Sequence, residues 1–161
     1  MNIQFNTSHP QIRLALSLCI EAHAGQYRRD FTTPYLNHPI SVANRVFRRY
    51  GGTDYKRIAT ALLHDTIEDS DGKITEQYLL DKGVEVDIVA AVVILTKTKD
   101  TEYSAYLQKI IKNEIARDAK IEDMIDNLAD SPSFKQITKY AIGLQTLANR
   151  DIQRGKHVEK L

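Results

Sequence analysis

Apolar residues recur along this chain every three to four positions, the spacing of one face of an α-helix, and no segment alternates with the period of a strand. Helix-start and helix-stop residues cut the pattern into pieces. Ser8 is a candidate N-cap with Pro10 in the first turn, opening a helix to about Gly25 whose inner stripe is Ile12, Ala15, Leu16, Cys19 and Ile20. Residues 26–37 (QYRRDFTTPYLN) form a basic, aromatic, Thr-rich loop of a length that usually carries function. Pro39 begins a second helix that ends at Gly51-Gly52, with Ile40, Ala43, Val46, Phe47 and Tyr50 as its apolar face. A third spans about 54–69, Ser70-Asp71-Gly72 is a turn, and a short helix over 75–82 is closed by Gly83. Residues 85–96 (EVDIVAAVVILT) are apolar nearly all round, which predicts a buried central helix. A buried strand would fit the same run; its length and Ala90-Ala91 favour the helix. After a polar, basic stretch over 96–101, Tyr103, Tyr106, Leu107, Ile110 and Ile111 mark an amphipathic helix, 114–130 makes another, and Ser131-Pro132 caps a helix to about Asn149. The pattern therefore predicts an all-α, single-domain bundle over 1–149, with a charged tail, 150–161, that frays.

The 161 residues suit one domain, long enough to bury about two-thirds of the unfolded chain's surface. A net charge of +1 argues against a general nucleic-acid binder or a polybasic membrane anchor. No signal-peptide pattern and no apolar run long enough to span a bilayer occur, so a soluble, cytoplasmic protein is expected. The single cysteine, Cys19, lies in an apolar helical stripe and reads as a core thiol. His9 and His157 read as surface residues, and His23, beside Cys19 and Ile20, as structural.

The chemistry concentrates in ATALLHDTIEDS, residues 59–70. At about 100° per residue, Ile58, Ala61, Leu62, Asp65 and Asp69 share one stripe, and His64 and Glu68 form an adjacent i,i+4 pair. A buried stripe thus runs into one imidazole and three carboxylates, which repel one another and resist desolvation. Either this is a solvated helix end or a cation neutralises it, and a divalent metal does so best. His38, held between Asn37 and Pro39, is expected at the cap of the second helix, a place suited to a fixed ligand, although a lone His at a helix start is more often a simple cap or surface residue. In KIEDMIDNL, residues 120–128, Ala116, Ala119, Lys120, Asp123 and Asn127 share a face on which two alanines permit close helix approach. Taken together, His38, His64, Asp65 and Asp123 offer two nitrogen and two oxygen ligands, a set suited to Mn²⁺, Fe²⁺, Co²⁺ or Zn²⁺. Glu68 and Asp69 would lie one turn from the ion, where a carboxylate can deprotonate water or protonate a leaving group.

These segments resemble the metal-dependent HD-domain phosphohydrolases, and more closely the hydrolase half of RelA/SpoT-type enzymes and the stand-alone small alarmone hydrolases. The matching pieces are AHAGQYRRDFTTPYLNHPISVA at 22–43, ATALLHDTIEDS at 59–70 and KIEDMIDNL at 120–128, in the family's order. The resemblance implies a helical fold around one divalent metal, most simply Mn²⁺. It also implies hydrolysis of the 3′-pyrophosphate of ppGpp and pppGpp to GDP or GTP and pyrophosphate. By position, His38, His64, Asp65 and Asp123 match the metal ligands, and Glu68 and Asp69 the acid pair. Arg28 and Arg29 match a basic pair on the guanine, and Asn127 a polar residue near the ribose. Tyr103 or Tyr106 would wall the nucleotide site, and Lys97 and Lys99 are candidates for phosphate contacts. The sequence departs from the family at Glu122, which adds a negative charge beside Asp123, and at Leu128-Ala129-Asp130-Ser131, where the long enzymes continue with an Arg and a Thr.

Two other readings stand beside this one. An HD-domain phosphohydrolase for another nucleotide, such as NADPH or a nucleoside monophosphate, would share the metal site and differ around Arg28–Asn37 and Asn127. A non-catalytic nucleotide-binding module would have no need of Glu68 and Asp69. No pattern of a synthetase or regulatory domain accompanies the hydrolase segments, so control by such domains is not expected, and oligomeric state is not legible.

Overall fold

A computed structural model describes residues 2–153, with side chains through residue 149. The helices are α1 (Pro10–Ala22), α2 (Asn37–Tyr50), α3 (Tyr55–Leu63), α4 (Thr66–Asp69), α5 (Glu76–Asp81), α6 (Val86–Leu95), α7 (Tyr103–Ile110), α8 (Glu114–Leu128) and α9 (Phe134–Gln153). Among the described residues the only extended pairing is an isolated antiparallel bridge, Tyr27 to Pro34, which pinches the loop between α1 and α2. The fold is an all-α bundle, as the periodicity predicts. The tail expected from Arg150 does not start there, because α9 runs on to Gln153; the rest of it, His157 included, lies outside the described residues.

The central element is α3, not the 85–96 segment. Ile58 to Leu63 are each 0% exposed, because α3 is packed by α1, α2, α6 and α8 together. In α6, Ile88, Val89, Ala91, Val92 and Leu95 face the core, while Val86 and Ala90 are exposed and Val93 is partly so. Apolar composition all round therefore overstated its burial.

The largest correction to the local pattern is a break in the predicted 54–69 helix. Asp54 does cap it, accepting from the Arg57 N–H, but α3 ends at Leu63 and a new turn, α4, starts at Thr66. Side chains take over the carbonyls that a continuous helix would bond: His64 Nδ1 donates to Ala61 O at 2.8 Å, and Thr66 Oγ1 donates to Leu63 O at 2.7 Å. Local side-chain bonds of this kind compete with the helical ladder. The break takes Asp65 out of the α3 stripe and leaves its carboxylate beside its buried neighbour His64, 3.0 Å from Nε2.

Three caps also differ from expectation. His9, not Ser8, precedes α1, with Pro10 at the first helical position where no N–H is needed. His9 is also half-buried, its ring stacked 4.0 Å from that of Tyr55. Helical geometry before α2 begins at Leu36, since the turn Pro34–Asn37 already bonds Asn37 N to Pro34 O and His38 N to Tyr35 O. His38 thus sits inside the first turn of α2 rather than at its cap, and Pro39 is tolerated there for the same reason as Pro10. At α9, Ser133 replaces Ser131-Pro132 as the cap: its Oγ accepts the Gln136 N–H, and Gln136 Oε1 accepts the Ser133 N–H. Gly143 lets α9 close on the bundle, because a methyl group there would collide with Tyr103 and Met124. Cys19 is buried, and burial pushes its thiol well above the ordinary range, so it is a core residue.

Candidate active site

The first turn of α2, the α3–α4 break and the middle of α8 deliver His38, His64, Asp65 and Asp123 to one point. His38 and His64 are 3% and 2% exposed, and Asp123 is 3% exposed. His38 Nε2 lies 3.0 Å from Asp123 Oδ1 and 3.8 Å from Asp65 Oδ2; His64 Nε2 lies 3.0 Å from Asp65 Oδ2 and 3.6 Å from Asp123 Oδ1. Atoms each held 2.0–2.2 Å from a shared ion stand about 3 Å apart when adjacent. The spacing therefore fits a metal.

The backing of the rings supports the same fit. His64 Nδ1 donates to Ala61 O, so its Nε2 carries the lone pair toward the carboxylates. That nitrogen is buried and has no hydrogen-bond partner, although Asp65 is only 3.0 Å away. An orphaned buried acceptor beside two carboxylates is costly unless a cation joins them. His38, His64 and Asp65 by themselves meet the spacing of a three-ligand site.

Charge tells the same story. Burial opposes protonation of both imidazoles, yet hydrogen bonds to Asp123 and Asp126 raise His38, and the Asp65 and Asp123 carboxylates raise His64 well above its ordinary value. Burial also opposes ionisation of Asp65 and Asp123, but His64 beside the first and Lys120 beside the second hold both below the usual carboxylate range. A divalent cation held by the same donors would answer the same negative charge.

Above the cluster opens a cleft of about 470 Å³. Asp65 and Asp123 form part of its floor, and Arg28, Arg29, Glu68, Asp69, Lys97, Tyr103, Tyr106 and Asn127 line it with them. Lys99 is not among the lining residues. Glu68 is exposed, and its Oε2 accepts the Lys97 N–H at 3.0 Å. Asp69 is half-buried; burial first, then the charges of Asp65 and Glu68, push its carboxyl up to about 6. Tyr106 offers a ring rather than a hydroxyl, since its O–H donates to Leu95 O at 2.6 Å. Asn127 Nδ2 donates to Asp123 Oδ1 at 2.6 Å, so this residue fixes a cluster carboxylate as well as facing the cleft.

Both departures from the family pattern have an explanation in the packing. Glu122 is 1% exposed and turns away from the cluster to Arg45, at 3.1 Å, and Arg49 on α2. Its charge is neutralised there and does not load the site. Asp130 takes the guanidinium of Arg28, with NH2 2.5 Å from Oδ2, while Arg28 also lies over the Tyr35 ring, 5.6 Å from its centroid.

Sequence reasoning missed several lining or supporting residues. The Tyr35 hydroxyl donates to Asp65 Oδ2 at 2.6 Å; the conspicuous aromatic content of its loop was the available signal. Lys120 Nζ donates to Asp123 Oδ2 at 2.6 Å, on the face where the helical period places it. Lys139 and Tyr140 of α9 complete the cleft wall, and nothing local in their sequence marks them. Asp126, which the sequence does not single out, meets His38 Nδ1 with its carboxylate at 2.8 Å and accepts from Ser41 Oγ at 2.5 Å. His23 is buried against Tyr35, with ring centroids 4.8 Å apart, and its Nδ1 pairs with Gln26, consistent with a structural part.

A family model described as HD domain matches residues 15–124, a span that contains the whole His38, His64, Asp65, Glu68, Asp69 and Asp123 set. The chain belongs to the HD-domain family. This HD domain is 32% identical over 125 residues to the guanosine-3′,5′-bis(diphosphate) 3′-pyrophosphohydrolase MESH1 of Xenopus tropicalis, an alignment covering 77% of this chain and 69% of that one. It is 42% identical over 67 residues to human MESH1, covering 41% of this chain and 37% of the human protein. Its fold is that of a solved metazoan ortholog of SpoT described as hydrolysing ppGpp: the TM-score is 0.72 over 94% of this chain and 99% of that chain, at 23% identity. A divalent metal is what such an HD domain implies, and His38, His64 and Asp65 are spaced so that they could hold one. Among the described residues no helix is long and apolar enough to cross a membrane.

Proposed function

We propose that this HD domain hydrolyses the 3′-pyrophosphate of the guanosine alarmones ppGpp and pppGpp, in the cytoplasm and with Mn²⁺, giving GDP or GTP and pyrophosphate. The observation that carries the reading is a cleft lined by two carboxylates of the His/Asp cluster, Asp65 and Asp123, with the acid pair and a rim of cations and aromatic rings around them, in a chain whose relatives include enzymes named for that reaction.

His38, His64, Asp65 and Asp123 would hold the ion, which when bound supplies Lewis acidity for a phosphoryl group and for water. Asn127, Lys120 and Tyr35 keep the two carboxylates aimed. Glu68, anchored on the Lys97 N–H, has its other oxygen free to take a proton from the attacking water. Water adds to the phosphorus joined to the 3′-oxygen, the 3′-O–P bond breaks, and pyrophosphate departs. Asp69, whose carboxyl sits near 6, gives its proton to the leaving 3′-oxygen. Arg28 and Arg29 meet the guanine, where a guanidinium stacks on a purine face, and Tyr103, Tyr106 and Lys97 wall the nucleotide.

The test is a side-by-side incubation with ppGpp, NADPH and simple nucleotides, with and without Mn²⁺, identifying the products. Release of pyrophosphate from ppGpp, dependent on metal, is expected. A tenfold or greater preference in kcat/KM for NADPH or a monophosphate overturns the alarmone reading and leaves a phosphohydrolase of another nucleotide. Binding without turnover of any of them would make the domain a nucleotide-binding module.

A further inference from the structure

The two imidazoles of the cluster are backed differently. His64 Nδ1 donates to a neutral backbone carbonyl, Ala61 O. His38 Nδ1 instead faces the Asp126 carboxylate at 2.8 Å. Asp126 lies one turn beyond Asp123 on α8, and His38 lies in the first turn of α2, so the ring is gripped from both sides by one helix: Asp123 at Nε2, Asp126 at Nδ1. Asp126 is itself held, since its second oxygen accepts from Ser41 Oγ, one turn along α2 from His38. The Asp126 side chain is 15% exposed and reaches a second, smaller cleft lined also by Ser41, Asn37 and Asp130.

We infer that Asp126 is a positioning residue for the metal centre. It fixes His38 in the tautomer that presents the Nε2 lone pair to the ion, and its charge makes His38 a stronger donor than His64. A carboxylate behind a ligating imidazole locks the ring and raises its basicity, and loss of such a partner typically costs about 10- to 100-fold in metal affinity. Ser41 acts through Asp126, by holding the carboxylate in the plane where it meets the ring. This inference rests on the proposed metal set of His38, His64, Asp65 and Asp123.

The experiment compares wild type, Asp126→Asn, Ser41→Ala and Asp65→Ala, each purified free of metal. Mn²⁺ affinity is read by competition with a fluorescent chelator, and donor strength by the visible absorption of the Co²⁺-loaded protein. Asp126→Asn should bind Mn²⁺ about 10- to 100-fold more weakly and shift the Co²⁺ bands, because the donor field at His38 changes. Ser41→Ala should weaken binding by a smaller factor with a smaller shift in the same direction. Ser41→Ala leaves His38 and Asp126 intact, so it keeps the test decisive if Asp126→Asn melts early in its metal-free form. A merely structural role would move the metal-free melting temperature and leave the Co²⁺ bands where they are. Wild-type affinity and unshifted bands in both variants, with Asp65→Ala losing the metal, overturn the inference while the metal set stands. Retention of metal by Asp65→Ala overturns the metal set itself.

Discussion

Helix α8 carries two buried charge clusters, and they are neutralised in opposite ways. On one side, Asp118 is met by Arg57 at 2.7 Å and by Arg117 at 2.8 Å, and Glu122 is met by Arg45 and Arg49. Every acid there has guanidinium donors aimed at it. On the other side, Asp65 and Asp123 face two imidazoles and one ammonium, Lys120, and His64 Nε2 has no hydrogen-bond partner. The first cluster is answered by guanidinium groups alone; the second is answered by imidazoles and one ammonium, a set that a divalent cation could join. Adjacent residues, Glu122 and Asp123, belong to different clusters because a step of about 100° around the helix points one at the α2 arginines and the other at His38 on α2 and His64 in the α3–α4 break. Buried acids mark function when the protein leaves their charge unanswered, and structure when it answers it.

The comparison breaks most completely at Asp65. Asp65→Ala should abolish bound divalent metal and turnover together, as read by elemental analysis and product formation, whereas Glu122→Gln should keep the metal at wild-type stoichiometry. Equal metal loss in both variants would show that the clusters are not distinct.

Next in size is the acid pair. Glu68→Gln and Asp69→Asn remove a charge with little change in volume, so kcat should fall by about 10²-fold or more while metal content and melting temperature stay close to wild type. Near-normal kcat in both would reduce these acids to a solvated face.

Glu122→Gln sharpens the other side. Arg49 is 51% and Arg45 25% exposed in their side chains, so both can turn to water once the carboxylate is gone, and the loss of stability should be about 1–2 kcal/mol. Chemical denaturation of the metal-free protein measures it.

The smallest effect is expected at the cleft rim. Replacing Arg28 and Arg29 with Ala removes contacts worth about 0.5–2 kcal/mol each, seen mainly in KM because a group that grips the base serves ground and transition states alike. Metal affinity should not change, and a matching fall in metal affinity would place these arginines in the cluster rather than on the substrate.

The helical period and the residue types marked out most of the bundle and brought His38, His64, Asp65, Glu68, Asp69 and Asp123 forward as one set, because ligand chemistry is written in side-chain identity and helix spacing is local. Other features were hidden from any local pattern. The break after Leu63 depends on His64 and Thr66 capturing carbonyls, a competition that periodicity does not register. The burial of α3 in place of α6 depends on how many helices pack around each. Asp126 and Glu122 are equally acidic as letters. Only the packing of α8 on α2 decided that one would hold His38 and the other would pair with Arg45 and Arg49. Lys139 and Tyr140 reach the cleft because Gly143 lets α9 approach Tyr103 and Met124. By itself, the sequence determined which chemistry this protein can support and on which helices. Only the tertiary structure decided which acids meet arginines and which meet imidazoles and Lys120, since that depends on distances between residues far apart in the chain.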